Sequence, residues 1–133
     1  MKYLVTGCAG FIGFHLSKFL LEHNKYKVFG IDNINPYYDI KLKKSRLRIL
    51  KKYNQFIFHK IDISQESKIL NNFKKYNYDY VIHLAAQAGV RYSVDHPQSY
   101  VNSNIIGFFN ILNASQKIYV KHLLFASTSS VYG

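Results

Sequence analysis

Four scarcities frame this chain of 133 residues: one cysteine, two prolines, no tryptophan and only seven acidic side chains. The lone Cys8 excludes an internal disulfide framework and fits a reducing compartment. So few prolines, with 48% hydrophobic residues and no low-complexity tract, exclude a disordered chain. No apolar run approaches the roughly 20 residues that cross a bilayer. The start, Lys2-Tyr3-Leu4-Val5, breaks at Thr6 and Gly7, too early for a signal-peptide core. What remains is one soluble globular domain, expected in the cytoplasm with no membrane attachment.

The shortage of acid leaves 18 Lys and Arg against 7 Asp and Glu, a net charge of +11. Basic chains attract phosphate backbones, and Lys41, Lys43, Lys44, Arg46, Arg48, Lys51 and Lys52 crowd one short stretch. Yet Leu42, Ile49, Leu50 and Tyr53 recur within it at fours and sevens. That spacing predicts an amphipathic helix with its apolar face inward and its lysines in water. A solvated face is the plainer reading, so a nucleic-acid partner is not expected, although a polyanion surface stays open.

Strand and helix patterns alternate along the chain. Short apolar runs at 2–6, 27–31, 56–61, 80–84 and 122–126 read as strands. Between them lie a helix from Phe11 to about His23, with Phe11, Ile12, His15, Leu16, Phe19 and Leu20 at threes and fours, and the basic helix at 39–53. A third helix starts at a Ser64 cap and runs to about Lys75. A long one opens with Pro97 in its first turn and reaches about Ile118. Residues 34–38, with an asparagine, a proline and two tyrosines, read as a loop. Such alternation predicts an α/β fold: a doubly wound parallel sheet of the Rossmann type, with strand order 3-2-1-4-5 and nothing after strand five.

In an open parallel sheet, ligands bind beyond the carboxyl ends of the strands. After strand one comes Gly7-Cys8-Ala9-Gly10-Phe11-Ile12-Gly13, three glycines at G-x-x-G-x-x-G spacing that open a helix. Bare backbone there lets a pyrophosphate approach free N–H groups and the positive end of the helix dipole. Strand two ends at Asp32, where a carboxylate can take both hydroxyls of an adenosine ribose and would repel a 2′-phosphate. This favours NAD over NADP, unless Lys41 or Lys43 folds back over the ribose. Asp62 and Ile63 close strand three, either as a helix cap or as an adenine contact. Cys8 reads as a small filler, His83 as a packed core histidine, and no His, Cys, Asp or Glu cluster has metal-ligand spacing.

These residues together resemble a known family, the extended short-chain dehydrogenase/reductases that act on nucleotide sugars. The successive signatures are Gly7-x-x-Gly10-x-x-Gly13, Asp32-Asn33, Asp62-Ile63, His83-Leu84-Ala85-Ala86 and Ser127-Thr128-Ser129-Ser130-Val131-Tyr132-Gly133. Two stretches are similar to the UDP-glucuronate 4-epimerases in particular: residues 32–39 with Leu42-Lys43 and Arg46-Leu47 behind them, and Ala85-Ala86-Gln87-Ala88-Gly89-Val90-Arg91-Tyr92-Ser93.

The resemblance implies NAD as cofactor, a UDP-sugar as substrate and a homodimer for the complete enzyme. It implies a reaction in which C4 of the sugar is oxidised, the 4-keto sugar rotates, and the hydride returns to its other face. Phe11 and Ile12 join the three glycines on the cofactor, with Asn33, Asp62 and Ile63 at its adenosine end. Leu84, Ala85, Ala86 and Ser103 would line it. Thr128 would polarise the reacting oxygen, and Arg91 would meet a negative charge on the sugar or diphosphate.

The family's catalytic Tyr-x-x-x-Lys pair follows strand five, beyond Gly133. The one match within the chain, Tyr37-x-x-x-Lys41, follows strand two and belongs to the adenosine side. The chain therefore reads as the N-terminal NAD-binding portion, residues 1–133, inactive alone, with strand five left as a bare apolar edge. Other sugar-nucleotide epimerases or dehydratases, and a non-catalytic NAD- or nucleic-acid-binding module, remain alternatives. A dehydratase would carry an acid beside Thr128, where Ser129-Ser130 supply none.

Overall fold

Strand β1 (Lys2–Thr6) takes the centre of the sheet because its run can be buried on both faces: Leu4, Val5 and Thr6 are fully covered. Around it the order is 3-2-1-4-5, with β2 (Lys27–Asp32), β3 (Phe56–Lys60), β4 (Tyr80–His83) and β5 (His122–Phe125), all parallel. A computed structural model describes residues 1–23 and 26–132. Gly133, the last residue of the strand-five signature, lies outside them. The doubly wound architecture and strand order expected from the sequence are both present.

Helices α1 (Phe11–Glu22) and α2 (Ile40–Leu50) pack on one face, covering Val5 and Val28 with Leu21, Leu47 and Leu50. On the other face, α3 (Glu66–Tyr76) and α6 (Phe108–Lys117) cover Leu4, Phe29, Ile31 and Val81 with Ile69, Phe73 and Ile111. Burying a side chain such as Phe73 completely removes enough apolar surface to stabilise the fold by about 2–3 kcal/mol. Between β4 and α6 the chain forms α4 (Val90–Asp95), α5 (Pro97–Tyr100) and a π-helical stretch, Val101–Gly107. Among the described residues, no helix is long and apolar enough to cross a membrane.

Several local readings are corrected. The long fourth helix is not uniform: it changes from α to π and back, with Gly107 packed so tightly that a Cβ would stand 2.5 Å from Ile63 Cδ1. Helix α4 falls in a stretch that carries no helical period. Ser64 does not cap α3, whose first turn follows Gln65 without a side-chain cap; its hydroxyl donates to Asp62 Oδ1 at 2.7 Å.

In α1 the buried positions are Gly13, Phe14, Ser17, Leu20 and Leu21, so Phe11, Ile12 and Phe19 face outward. The small Gly13 and Ser17 let the helix approach the sheet closely, which rotates the larger residues away. Helix α2 departs in the same sense. Leu42 and Ile49 are exposed, while Lys43 is buried with Leu47 and Leu50. The lysines do not all line the solvated face.

Candidate functional site

The site begins where β1 ends. Gly7 has φ +70°, in the left-handed region, and a Cβ on it would stand 2.9 Å from the backbone nitrogen of Ala85. Its N–H donates to Ile31 O at 2.7 Å, tying the turn to β2. Beneath it, a Cβ on Gly13 would stand 2.2 Å from Gly7 O, so α1 begins directly against the turn. Helix α1 has no side-chain cap and no acidic residue in its first turn. The amides of Phe11, Ile12 and Gly13 are thus those a helix start leaves free, and the dipole favours an anion beside them. Phe11 and Ile12 offer this backbone; their side chains project into solvent.

From this turn a crevice of about 140 Å³ runs over β2, lined by Gly7, Gly10, Asp32, Lys43, Ile63 and Ser103 among others. Asp32 is buried. Its Oδ2 accepts from Ala9 N at 3.0 Å and its Oδ1 from Ile34 N at 2.8 Å, which leaves each oxygen a further lone pair. Next to it, Asn33 Nδ2 donates to Asp62 Oδ2 at 2.9 Å. Asp62 also accepts from Ser64 N and Oγ, and these bonds hold its carboxyl below the usual range despite partial burial. Asn33, Asp62 and Ser103 line an adjoining polar cavity of about 480 Å³. The Asp62 carboxylate therefore shapes the end of β3 and does not cap α3, while its carbonyl accepts from Gln65 N at 3.0 Å.

The other side of the crevice is built on β4. Thr6 and His83 are register partners on adjacent strands, and Thr6 Oγ1 lies 2.7 Å from His83 Nδ1. The same oxygen accepts from Leu84 N and Ala85 N, both at 3.1 Å. Two accepted bonds use both lone pairs, so the hydroxyl proton goes to Nδ1 and the ring's own proton sits on Nε2. Burial lowers the His83 pKa to about 4. Expected as a packed core histidine, His83 is that, and it also shapes the turn that carries Leu84, Ala85 and Ala86.

Leu84 to Ala88 form a wall shared by the crevice and a second cavity of about 500 Å³. This cavity is lined by His83, Phe108, Phe125 and Thr128, and among the described residues no carboxylate lines it. Thr128 is exposed there, at the end of the loop after β5, and its Oγ1 accepts from Ser130 N at 3.2 Å.

The structure thus gathers Asp32, Asn33, Asp62, Ile63, Leu84, Ala85, Ala86 and Ser103 around one continuous trough. Gly7 and Gly10 line the crevice, Gly13 packs beneath Gly7, and Thr128 lines the cavity that shares the Leu84–Ala88 wall with it. It does not bring Arg91 there: that side chain is exposed on α4, away from these cavities. Tyr37 of the Tyr-x-x-x-Lys match lines the crevice that Asp32 lines, and does not line the cavity of Thr128. Cys8 is fully buried, and the apolar surroundings push its thiol pKa up, as expected of a filler. The described residues hold no cluster of metal-ligating side chains.

Two residues have roles that the sequence did not assign them. Asn104, in the π stretch, accepts from Gln87 N at 2.8 Å and donates to Gln87 O at 3.0 Å. Asn110, buried in α6, donates to Ile63 O at 2.9 Å. One helical run therefore pins the loops after β3 and β4. The signal was faint, because Asn104 and Asn110 stand among other polar residues of the same run, Asn102, Ser103 and Asn113.

Comparison with known proteins agrees with this geometry. A family model described as GDP-mannose 4,6 dehydratase matches residues 4–133. The UDP-glucuronate 4-epimerase of Thermodesulfobacterium geofontis is 49% identical over 130 residues, covering 98% of this chain and 40% of that protein. The crystal structure of UDP-glucuronic acid 4-epimerase from Bacillus cereus with UDP-glucuronic acid and NAD superposes with a TM-score of 0.90 at 39% identity. It is matched over all of this chain and 42% of its own. A UDP-glucose 4-epimerase from Thermotoga maritima gives 0.84 at 36%, over all of this chain and 40% of its own. The chain spans about two-fifths of the length of these relatives.

Proposed function

The chain belongs to the NAD-dependent epimerase/dehydratase family, and from that premise we propose that it is the NAD-binding portion of a UDP-glucuronate 4-epimerase. The observation that carries the reading is the crevice at the glycine turn. An uncapped helix start and a Gly7 that would clash with any Cβ adjoin it, the buried Asp32 carboxylate lines it, and it shares the Leu84–Ala88 wall with the Thr128 cavity.

The residues fit a dinucleotide. Backbone N–H groups at Phe11, Ile12 and Gly13 meet the pyrophosphate, with Gly7 and Gly10 giving it room. Asp32 accepts from the adenosine ribose, while Asn33, Asp62 and Ile63 edge the adenine. Leu84, Ala85, Ala86 and Ser103 line the path toward the Thr128 cavity. The chemistry NAD supplies there is reversible hydride acceptance from C4 of the sugar, with return to the opposite face once the 4-keto sugar has turned. Thr128 donates its hydroxyl hydrogen bond to the sugar oxygen and polarises it for proton transfer.

Epimerisation is favoured over dehydration by the same cavity. Thr128 is followed by Ser129-Ser130, and no acid lines the space beside it. The reading places the full enzyme in the cytoplasm as a homodimer. Within these 133 residues the sole Tyr-x-x-x-Lys lies on the adenosine side, so the chain alone does not turn over UDP-glucuronate. Thermal melting tests the reading: NAD raises Tm, NADP does so less, and Asp32→Ala removes the NAD shift. A folded chain whose Tm ignores NAD refutes it.

A further inference from the structure

Among the described residues the buried Asp, Glu, Lys and Arg side chains are two, Asp32 at 8% exposure and Lys43 at 4%. They come from different elements, the end of β2 and the first turns of α2, yet both line the crevice beside the glycine turn. The Lys43 ammonium donates to the carbonyl oxygen of Asn35 at 3.0 Å and to its Oδ1 at 2.7 Å. It also stands 4.4 Å from the centre of the Tyr38 ring. Asn35 is itself held, its N–H donating to Asn33 Oδ1 at 3.0 Å.

A long lysine on an amphipathic helix ordinarily carries its charge out to water, as the exposed Lys41 and Lys44 do on the same helix. Lys43 goes the other way, although burying an ammonium is costly without full hydrogen bonding. Burial lowers its pKa, and the Asp32 carboxylate pulls it back up. The two charges nevertheless do not meet as an ion pair; those between described residues are Lys18–Glu22 and Lys121–Asp79. An ammonium has three donors. Asn35 takes two, and the third has no oxygen partner among the described residues. A buried acceptor and a buried donor thus face one small cavity without touching. A vicinal diol, which both donates and accepts on adjacent carbons, matches that pair. A phosphate would meet Lys43 but be repelled by Asp32.

We propose that Lys43 donates a hydrogen bond to the adenosine ribose of the dinucleotide and, with Asp32, grips its 2′,3′-diol from both sides. This rests on the reading of the crevice as an NAD site and adds to it a binding residue from the basic helix.

Calorimetry on the 133-residue chain tests it with ADP, 2′-deoxy-ADP, 3′-deoxy-ADP, NAD and NADP, using the wild type, Lys43→Met and Lys43→Gln. A hydrogen bond from a charged group is worth about tenfold or more in affinity. Lys43→Met is therefore expected to weaken NAD and ADP about tenfold. In that variant, the penalty for removing one of the two hydroxyls should shrink about fivefold or more. Lys43→Gln, which can keep the Asn35 contacts, should show the same shrinkage if the methionine variant folds poorly. Equal weakening of ADP and both deoxy analogues would make Lys43 a purely structural residue and overturn the proposal. NADP binding more tightly than NAD, with Lys43→Met reversing the order, would overturn it in favour of a phosphate contact. If the folded wild type binds neither NAD nor ADP, the reading of the crevice fails first and the proposal with it.

Discussion

Thr6 Oγ1 stands 2.7 Å from His83 Nδ1 and receives the N–H groups of Leu84 and Ala85, so one hydroxyl sets the tautomer of a buried ring and the bend of the β4 turn. Because Thr6 has no lone pair left, Nδ1 must stay unprotonated for this arrangement to hold. Burial supports that state by lowering the His83 pKa to about 4.

The pH dependence follows from the sign of that shift. Between pH 6.5 and 4 the unfolded chain binds a proton at His83 that the folded chain refuses, so stability falls as pH drops through this window. The loss approaches about 3 kcal/mol at the acid end. Urea melts at pH 7, 5.5 and 4.5 measure it, and His83→Asn should flatten the slope. An unchanged slope in that variant would assign the acid sensitivity to other groups.

Removing the hydroxyl itself should cost stability at all pH values. Thr6→Val keeps the shape of the side chain but strands two amides and a ring nitrogen. We expect about 2–3 kcal/mol of destabilisation by chemical denaturation, with the Leu84–Ala86 turn losing hydrogen-exchange protection first.

The glycines of the first turn are unequal. Gly13→Ala would drive a Cβ to 2.2 Å from Gly7 O, against backbone that cannot yield without moving α1. Gly10→Ala meets that same oxygen at 3.1 Å, and Gly10 has an ordinary φ of −69°. We expect Gly13→Ala to lower Tm by several times the Gly10→Ala effect, and to abolish the NAD-induced shift. Equal shifts would mean that α1 slides freely.

Asn104 and Asn110 separate local from global effects. Asn110→Ala leaves a buried carbonyl unpaired and should cost about 1–2 kcal/mol. Asn104→Ala frees the buried Gln87 in the wall of the crevice, so NAD affinity should fall more than Tm. Calorimetry and melting on the same preparations decide the ordering.

Strand β5 pairs with β4 on one side, and Leu124 and Phe125 are each 53% exposed. An apolar strand in that state invites association. Sedimentation should show self-association rising with concentration, and Leu124→Lys should reduce it. A monomer at all concentrations would contradict this.

Much of this protein was legible in the sequence because the relevant physics is local. Apolar runs broken by glycine and aspartate mark strand ends, and strict β–α alternation leaves few topologies, so the 3-2-1-4-5 order and the places of Gly7, Asp32 and Thr128 could be read directly. Helical phase could not. The period of α1 was evident, but small Gly13 and Ser17 turn it so that Phe11 and Phe19 face out, and that depends on what lies beneath. The bond between Thr6 and His83 needed a register joining residues 77 apart. Lys43 is the clearest case. Charge and spacing put it in water with its neighbours, and only the packing of α2 over the β2 loop, with Asn35 and Tyr38 waiting there, draws it inside. Sequence determines which residues can make a strand, a turn or a helix face; tertiary packing decides which side of that helix is buried, because the choice depends on partners that are distant in the chain.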